Sequence, residues 1–169
     1  MTLPHIAGRV FDTPLLIARA KLDTILGVLV PRLRGETLPF AAKPVTRDYD
    51  ISNGIAVIPV VGTLVRRTVG LEAQSGMTSY TMIAERLHSA LQDDAVKGIL
   101  LDIDSPGGEA GGVFDLADQI FAARKVKPIW AVANDEAFSA AYAIAAAAER
   151  IYLSRTGGVG SIGVIAVHL

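Results

Sequence analysis

The sequence predicts an α/β protein with a mostly parallel sheet, and three observations carry that prediction. Short apolar runs at 55–61, 98–103, 128–133, 151–153 and 162–167 alternate with stretches of helical spacing. The run GILLDI at 98–103 is nearly continuous in apolar residues, as a parallel strand covered on both faces would be. Composition is the third: 51% of the 169 residues are hydrophobic and only 6% aromatic, with Ala and Gly abundant. That suits closely packed layers and argues against disorder. Alternation at this spacing implies right-handed βαβ units, whose ligand sites lie beyond the C-terminal ends of the strands.

Taken in order, Thr13-Pro14 reads as an N-cap and first helical residue, opening a helix to about Leu29 that Pro31 stops. Leu15, Leu16, Leu22, Ile25, Leu26 and Leu29 give it an apolar face. Residues 32–50 read as a linker, so 1–50 is expected to be a helical arm with linker and 51–169 the core. Residues 55–61 form a strand bounded by Asn53-Gly54 and Gly62, with Pro59 marking an edge or an irregularity. Residues 62–77, including Arg66-Arg67, read as a solvated loop, with a substrate-binding flap as the alternative. Thr78 or Ser79 caps a helix to about Gln92, on which His88 is a surface residue. After the strand at 98–103 come DSPGG (104–108), a helix over 109–123, and a strand over 128–133. Asn134–Ser139 leads into an alanine-rich helix, the best helix-forming composition available.

Composition also excludes much. A net charge of −1 gives no electrostatic case for nucleic acid. Without cysteine there is no disulfide, thiolate metal site or cysteine nucleophile. His5, His88 and His168 are too scattered for a zinc cluster. The apolar segment 15–30 is interrupted by Arg19, Lys21 and Asp23, and the first residues lack the pattern of a secretory signal. The expectation is a soluble, intracellular protein without a membrane span.

Two strand ends carry chemistry. In DSPGG, Gly107 and Gly108 let the backbone turn and leave amides unshielded, able to bind an oxyanion; a plain tight turn is the bland reading. No GxxxxGK[ST] or GxGxxG is present to make it a phosphate site. Ser139, at the head of the alanine helix, is either an N-cap or a nucleophile placed where the helix start favours negative charge. A serine nucleophile needs a base. There is no GxSxG elbow. Lys97, Lys125 and Lys127 precede their strands, at the wrong end, and Lys21 and Lys43 are no better placed. His168 can approach Ser139 or be an ordinary polar residue. The residues alone give an oxyanion hole and a candidate nucleophile, but no base.

DSPGG after a strand, AFSAAYAIA at 137–145 and VGSIGV at 159–164 together resemble the signal peptide peptidase A family of serine peptidases. PLLIA near the start and SGMTSY at 75–80 resemble its phage and prophage branch, the capsid-assembly (head maturation) proteases. The resemblance implies a Clp-protease/crotonase-like fold of stacked βαβ units, a Ser/Lys dyad without metal or nucleotide, and a homo-oligomer. It implies Ser139 as nucleophile and the Gly108 backbone N–H, with that of Ser139, as oxyanion hole. Gly107 shapes the turn, and Ser161 and Gly163 support the site. The implied substrates are scaffold, portal or coat proteins of the procapsid, in the bacterial cytoplasm or inside the procapsid itself. One departure stands out. The family's general-base lysine lies well downstream of GSIGV and is absent here, so the expectation is a C-terminally truncated, impaired peptidase with apolar sheet surface uncovered. The alternatives are a base from another domain, a Clp-like Ser139/His168 peptidase, or a non-catalytic structural subunit of a phage assembly. A crotonase-type acyl-CoA enzyme needs no such serine, and AFSAAY argues against it.

Overall fold

The computed structural model of the chain describes residues 11, 14–17, 22, 26, 30, 49–67 and 77–166. In chain order the strands are β1 (Leu15–Ile17), β2 (Asp50–Ser52), β3 (Ile55–Val61), β4 (Thr63–Val65), β5 (Met77–Ser79), β6 (Gly98–Ser105), β7 (Gly107–Glu109), β8 (Ile129–Phe138), β9 (Arg150–Leu153) and β10 (Gly158–Gly160). The helices are α1 (Tyr80–Gln92), α2 (Val113–Ala123) and α3 (Ala140–Ala146). The α/β class and the mostly parallel sheet are as expected. The main sheet runs β10-β8-β6-β3-β2 with β9 also on β8, and every pairing in it is parallel except β2 with β3. A smaller sheet, β1-β7-β4-β5, stands at the C-terminal ends of the long strands.

Burial along β6 and β8 explains how the layers form. Ile99, Leu101, Ile103, Ile129, Ala131 and Ala133 alternate into one core with Ile83, Leu87, Leu116, Ile120 and Ile144 of the helices. The opposite face is more open than a sheet covered on both sides would be. Trp130 and Tyr152 are exposed there, their rings 5.7 Å apart. Leu153, Val159, Ile162 and Val164 are exposed as well.

Ser79 caps α1 as expected, its Oγ accepting from the Met82 amide at 3.1 Å. Asn53 and Gly54 both have positive φ (51° and 80°) and close a hairpin between β2 and β3. β2 pairs only with Ile55–Val57, so Pro59 falls beyond its reach, where a missing N–H is harmless.

Five sequence expectations are corrected. Residues 15–17 are strand, not helix: Leu16 joins the main core while Leu15 and Ile17 pack with Leu22, so apolar surface lies on both sides of an extended segment. Leu22, Leu26 and Val30 are helical, and the remainder of the expected 13–29 helix lies outside the described residues. The expected linker, mostly outside them as well, gives way to β2 at Asp50. The 62–77 loop yields β4 and the start of β5, and 107–109 is strand, so the next helix begins at Val113 rather than 109. The last strand among the described residues is Gly158–Gly160, and 162–166 form none; Phe138 packs where a Gly158 Cβ would lie, 2.7 Å from the ring.

On the open face Asn134 Nδ2 donates to Asp102. Partial burial raises the Asp102 pKa, opposed by that hydrogen bond and assisted by Asp104. The folded chain therefore holds this proton more tightly than the unfolded chain. Its stability is expected to rise as pH falls through the raised value, levelling near the ordinary carboxylate pKa of ~3.9. Asp102→Asn should flatten that slope in thermal melts across the same range.

Candidate active site

Ser139 stands between β8 and α3 with φ 56° and ψ −112°. A positive φ is uncommon for a residue with a Cβ and is a form of strain that clusters at functional sites. Strand, sharp turn and helix make the geometry of a nucleophile elbow even though GxSxG is missing. Ala137 and Ala141 occupy the positions two before and two after, where that motif has glycine, and both are fully buried. That A-x-S-x-A spacing was the available signal. Ser139 makes no side-chain cap hydrogen bond to α3, so the N-cap reading of its hydroxyl fails.

The hydroxyl and the amide of Ser139 both turn to the segment after β10. Its N–H donates to the Gly160 carbonyl at 2.7 Å, and its Oγ to the Gly163 carbonyl at 3.3 Å. Ser161, exposed with φ 53°, makes the turn that presents these two carbonyls. The expected oxyanion donor at the Ser139 amide is thus already engaged. The next amide, that of Ala140, lies 3.1 Å from where a Gly107 Cβ would be.

DSPGG supplies the other wall, and the structure adds a residue that the sequence reading passed over. Ser105, fully buried, donates from Oγ to the Gly62 carbonyl at 2.6 Å and accepts from the Gly107 amide at 3.1 Å. It thereby fixes the turn and occupies the first glycine amide. Gly107 has φ 98°, and a Cβ there would meet the Leu16 oxygen at 2.4 Å and the Phe138 oxygen at 2.9 Å. At Gly108 the constraint is contact: a Cβ would lie 1.8 Å from the Leu64 carbonyl oxygen.

The Gly108 amide points away from β4. Ala110 N–H donates to the Pro14 carbonyl at 3.1 Å, and the register pairs Leu16 with Gly108. Antiparallel ladders alternate between bonded and non-bonded pairs, so Leu16 and Gly108 are the next bonded pair and the Gly108 N–H faces the Leu16 carbonyl. Tyr80 secures the far end of β7, donating from its hydroxyl to the Glu109 carbonyl at 2.5 Å. Burial, then the Glu109 charge, holds the phenol pKa well above its usual value, so it stays a donor. Arg66 and Arg67 are exposed, and the Arg66 backbone N–H donates to the Glu109 carboxylate at 2.8 Å.

No base stands beside Ser139 among the described residues. Lys97, Lys125 and Lys127 sit at the N-terminal strand ends; the ten residues of β8 separate Lys127 from Ser139 by on the order of 30 Å. Lys127 instead donates to the Ala90 and Asp93 carbonyls at 2.8 and 2.7 Å. His88 is exposed on α1. His5, His168, Lys21 and Lys43 lie outside the described residues. Among the described residues no cluster of three or more His, Asp or Glu side chains is arranged to hold a metal ion, and no helix is long and apolar enough to cross a membrane.

Comparison with known proteins meets this site at its C-terminal half. Residues 122–169, which contain Ser139 and the 160–163 turn, match peptidase family S49. The head-tail preconnector protein GP5 of Enterobacteria phage P21 is 41% identical over 99% of this chain and 38% of its own length. The capsid assembly protease C of Escherichia phage lambda is 42% identical over 98% of this chain and 43% of its own length. The chain therefore spans about two fifths of the length of these relatives. Among solved structures, a probable enoyl-CoA hydratase from Mycobacterium smegmatis superposes with a TM-score of 0.48 at 16% identity, over 66% of this chain and 50% of the other. DSPGG, AFSAAYAIA and VGSIGV are each in place in the fold, and the chain is similar to peptidase family S49 over residues 122–169 and to these two phage proteins over nearly all of its own length.

Proposed function

We propose that this chain carries the nucleophile and oxyanion half of a serine endopeptidase of the Ser/Lys type that acts during phage procapsid assembly. The observation that carries the reading is Ser139 held at φ 56° on a strand-to-helix turn whose flanking Phe138 carbonyl and Ala140 amide pack against Gly107, next to Gly108. Its Oγ would attack a peptide carbonyl, and the Gly108 and Ala140 amides would hold the oxygen as charge develops. Gly107 and Ser105 shape that pocket, while the 160–163 turn, with Ser161 and Gly163, orients the serine. No cofactor enters this chemistry. The base is a lysine supplied from outside these 169 residues, by a continuation of the chain or by another subunit of a homo-oligomer. The substrates would be scaffold, portal or coat proteins in the bacterial cytoplasm or the forming procapsid, as suggested by the assembly roles in the relatives' names.

A fluorophosphonate probe tests this. A polypeptide continuing past Leu169 should be labelled, and Ser139→Ala should take no label. The 169-residue chain alone should react at least ~100-fold more slowly, the usual effect of losing a general base. Equal labelling of the alanine variant would remove Ser139 from the mechanism. A second reading, the non-catalytic assembly subunit, is favoured by one observation: the Ser139 hydroxyl is bonded to a carbonyl and not to a base. An extended chain that takes no probe and cleaves nothing decides for it.

A further inference from the structure

The lane beside β7 is already filled by the chain itself. Leu15–Ile17 runs antiparallel to Gly107–Glu109 on one side, and on the other Leu15 exchanges two backbone hydrogen bonds with Ile165, both 2.9 Å. An extended peptide that adds to a sheet edge makes this pattern, backbone to backbone with alternate side chains into pockets. Here Leu16 enters the main core, and Leu15 and Ile17 enter the cluster with Leu22 and Ile165. All three are buried, and Ser139 beneath is only 1% exposed.

The position of the Leu16 carbonyl is the decisive detail. It faces the Gly108 amide by the register of the ladder, and it shares with the Ala140 nitrogen and the Phe138 oxygen the space where a Gly107 Cβ would stand, 2.4, 3.1 and 2.9 Å from that point. Those two amides are the ones assigned to the oxyanion. The geometry points to Leu15–Ile17 being a tethered occupant of the substrate lane: the site binds extended apolar peptide strands antiparallel to β7, and the chain's own segment holds it shut. This rests on the peptidase reading of Ser139, and it adds the substrate class and the way access is controlled.

The test needs binding only, so it stands apart from whether Ser139 reacts. The probe is a fluorescein-labelled peptide with the sequence of residues 13–19, Thr-Pro-Leu-Leu-Ile-Ala-Arg, followed by fluorescence polarisation. Leu16→Asp, and separately a chain lacking residues 1–18, should bind it at least ten times more tightly than the unaltered chain, with circular dichroism confirming the fold. Equal affinity in the folded variants would overturn the proposal, as would tight binding by the unaltered chain. Should both variants fail to fold, the unaltered chain decides by amide hydrogen exchange. Excess unlabelled peptide should speed exchange at Leu16 about tenfold by displacing the strand, and no change overturns the proposal.

Discussion

Gly108→Ala is expected to prevent stable folding. A Cβ at this position would stand 1.8 Å from the Leu64 carbonyl oxygen and within 2.7 Å of its carbon and nitrogen, all backbone atoms that no rotamer change can move. β7 is held between β1 and β4, so the clash is relieved only by pulling two sheet pairings apart. Destabilisation above ~4 kcal/mol is expected, from total stabilities that run about 5–15 kcal/mol for such domains. Denaturant unfolding and soluble yield would measure it. Gly111→Ala is the matched control, because a Cβ there meets nothing within 4 Å; it should stay within ~0.5 kcal/mol.

The second expectation separates strain from chemistry at Ser139. Ser139→Ala and Ser139→Gly both lose the hydroxyl, its bond to Gly163 and all probe labelling. Only glycine relaxes the turn at φ 56°. Strain at such a position is worth about 1–3 kcal/mol, partly offset by the extra freedom glycine gives the unfolded chain. The glycine variant should therefore exceed the alanine variant by about 1 kcal/mol, roughly 3 °C in a thermal melt of a chain this size. Equal melting temperatures would show that the turn is unstrained and that the elbow assignment is wrong.

Much of this site was legible in the residues, and the gaps have physical causes. Ser79, β3, β6, β9 and the first half of β8 followed from capping and apolar periodicity, which are local signals; β8 runs on to Phe138 where a loop was expected. DSPGG and AFSAA marked two strand ends that the structure packs together at Gly107, Phe138 and Ala140, because glycines and small residues are what a crowded backbone crossing tolerates. The strand at 15–17 was hidden because LLI preceded by Thr-Pro fits a helix start equally well, and only partners at 107–109 and 165 decide it. β4, β5 and β7, three residues each, are too short to show a period. Ser105 was passed over because its two partners, Gly62 and Gly107, meet only after the sheets assemble. The elbow lay in plain sight as Ala137-x-Ser139-x-Ala141, read only for glycine.

The strand at 15–17 also sets a clock on synthesis. It is made first, yet its partners at 107–109 and 165 are made about 90 and 150 residues later. At about 5–20 residues per second, a nascent chain waits on the order of ten seconds before Leu15 can meet Ile165. During that time an apolar three-residue strand has no ladder to join. The contacts of 15–17 with β7 and Ile165 therefore form only after both partners have been made, late relative to the strand itself.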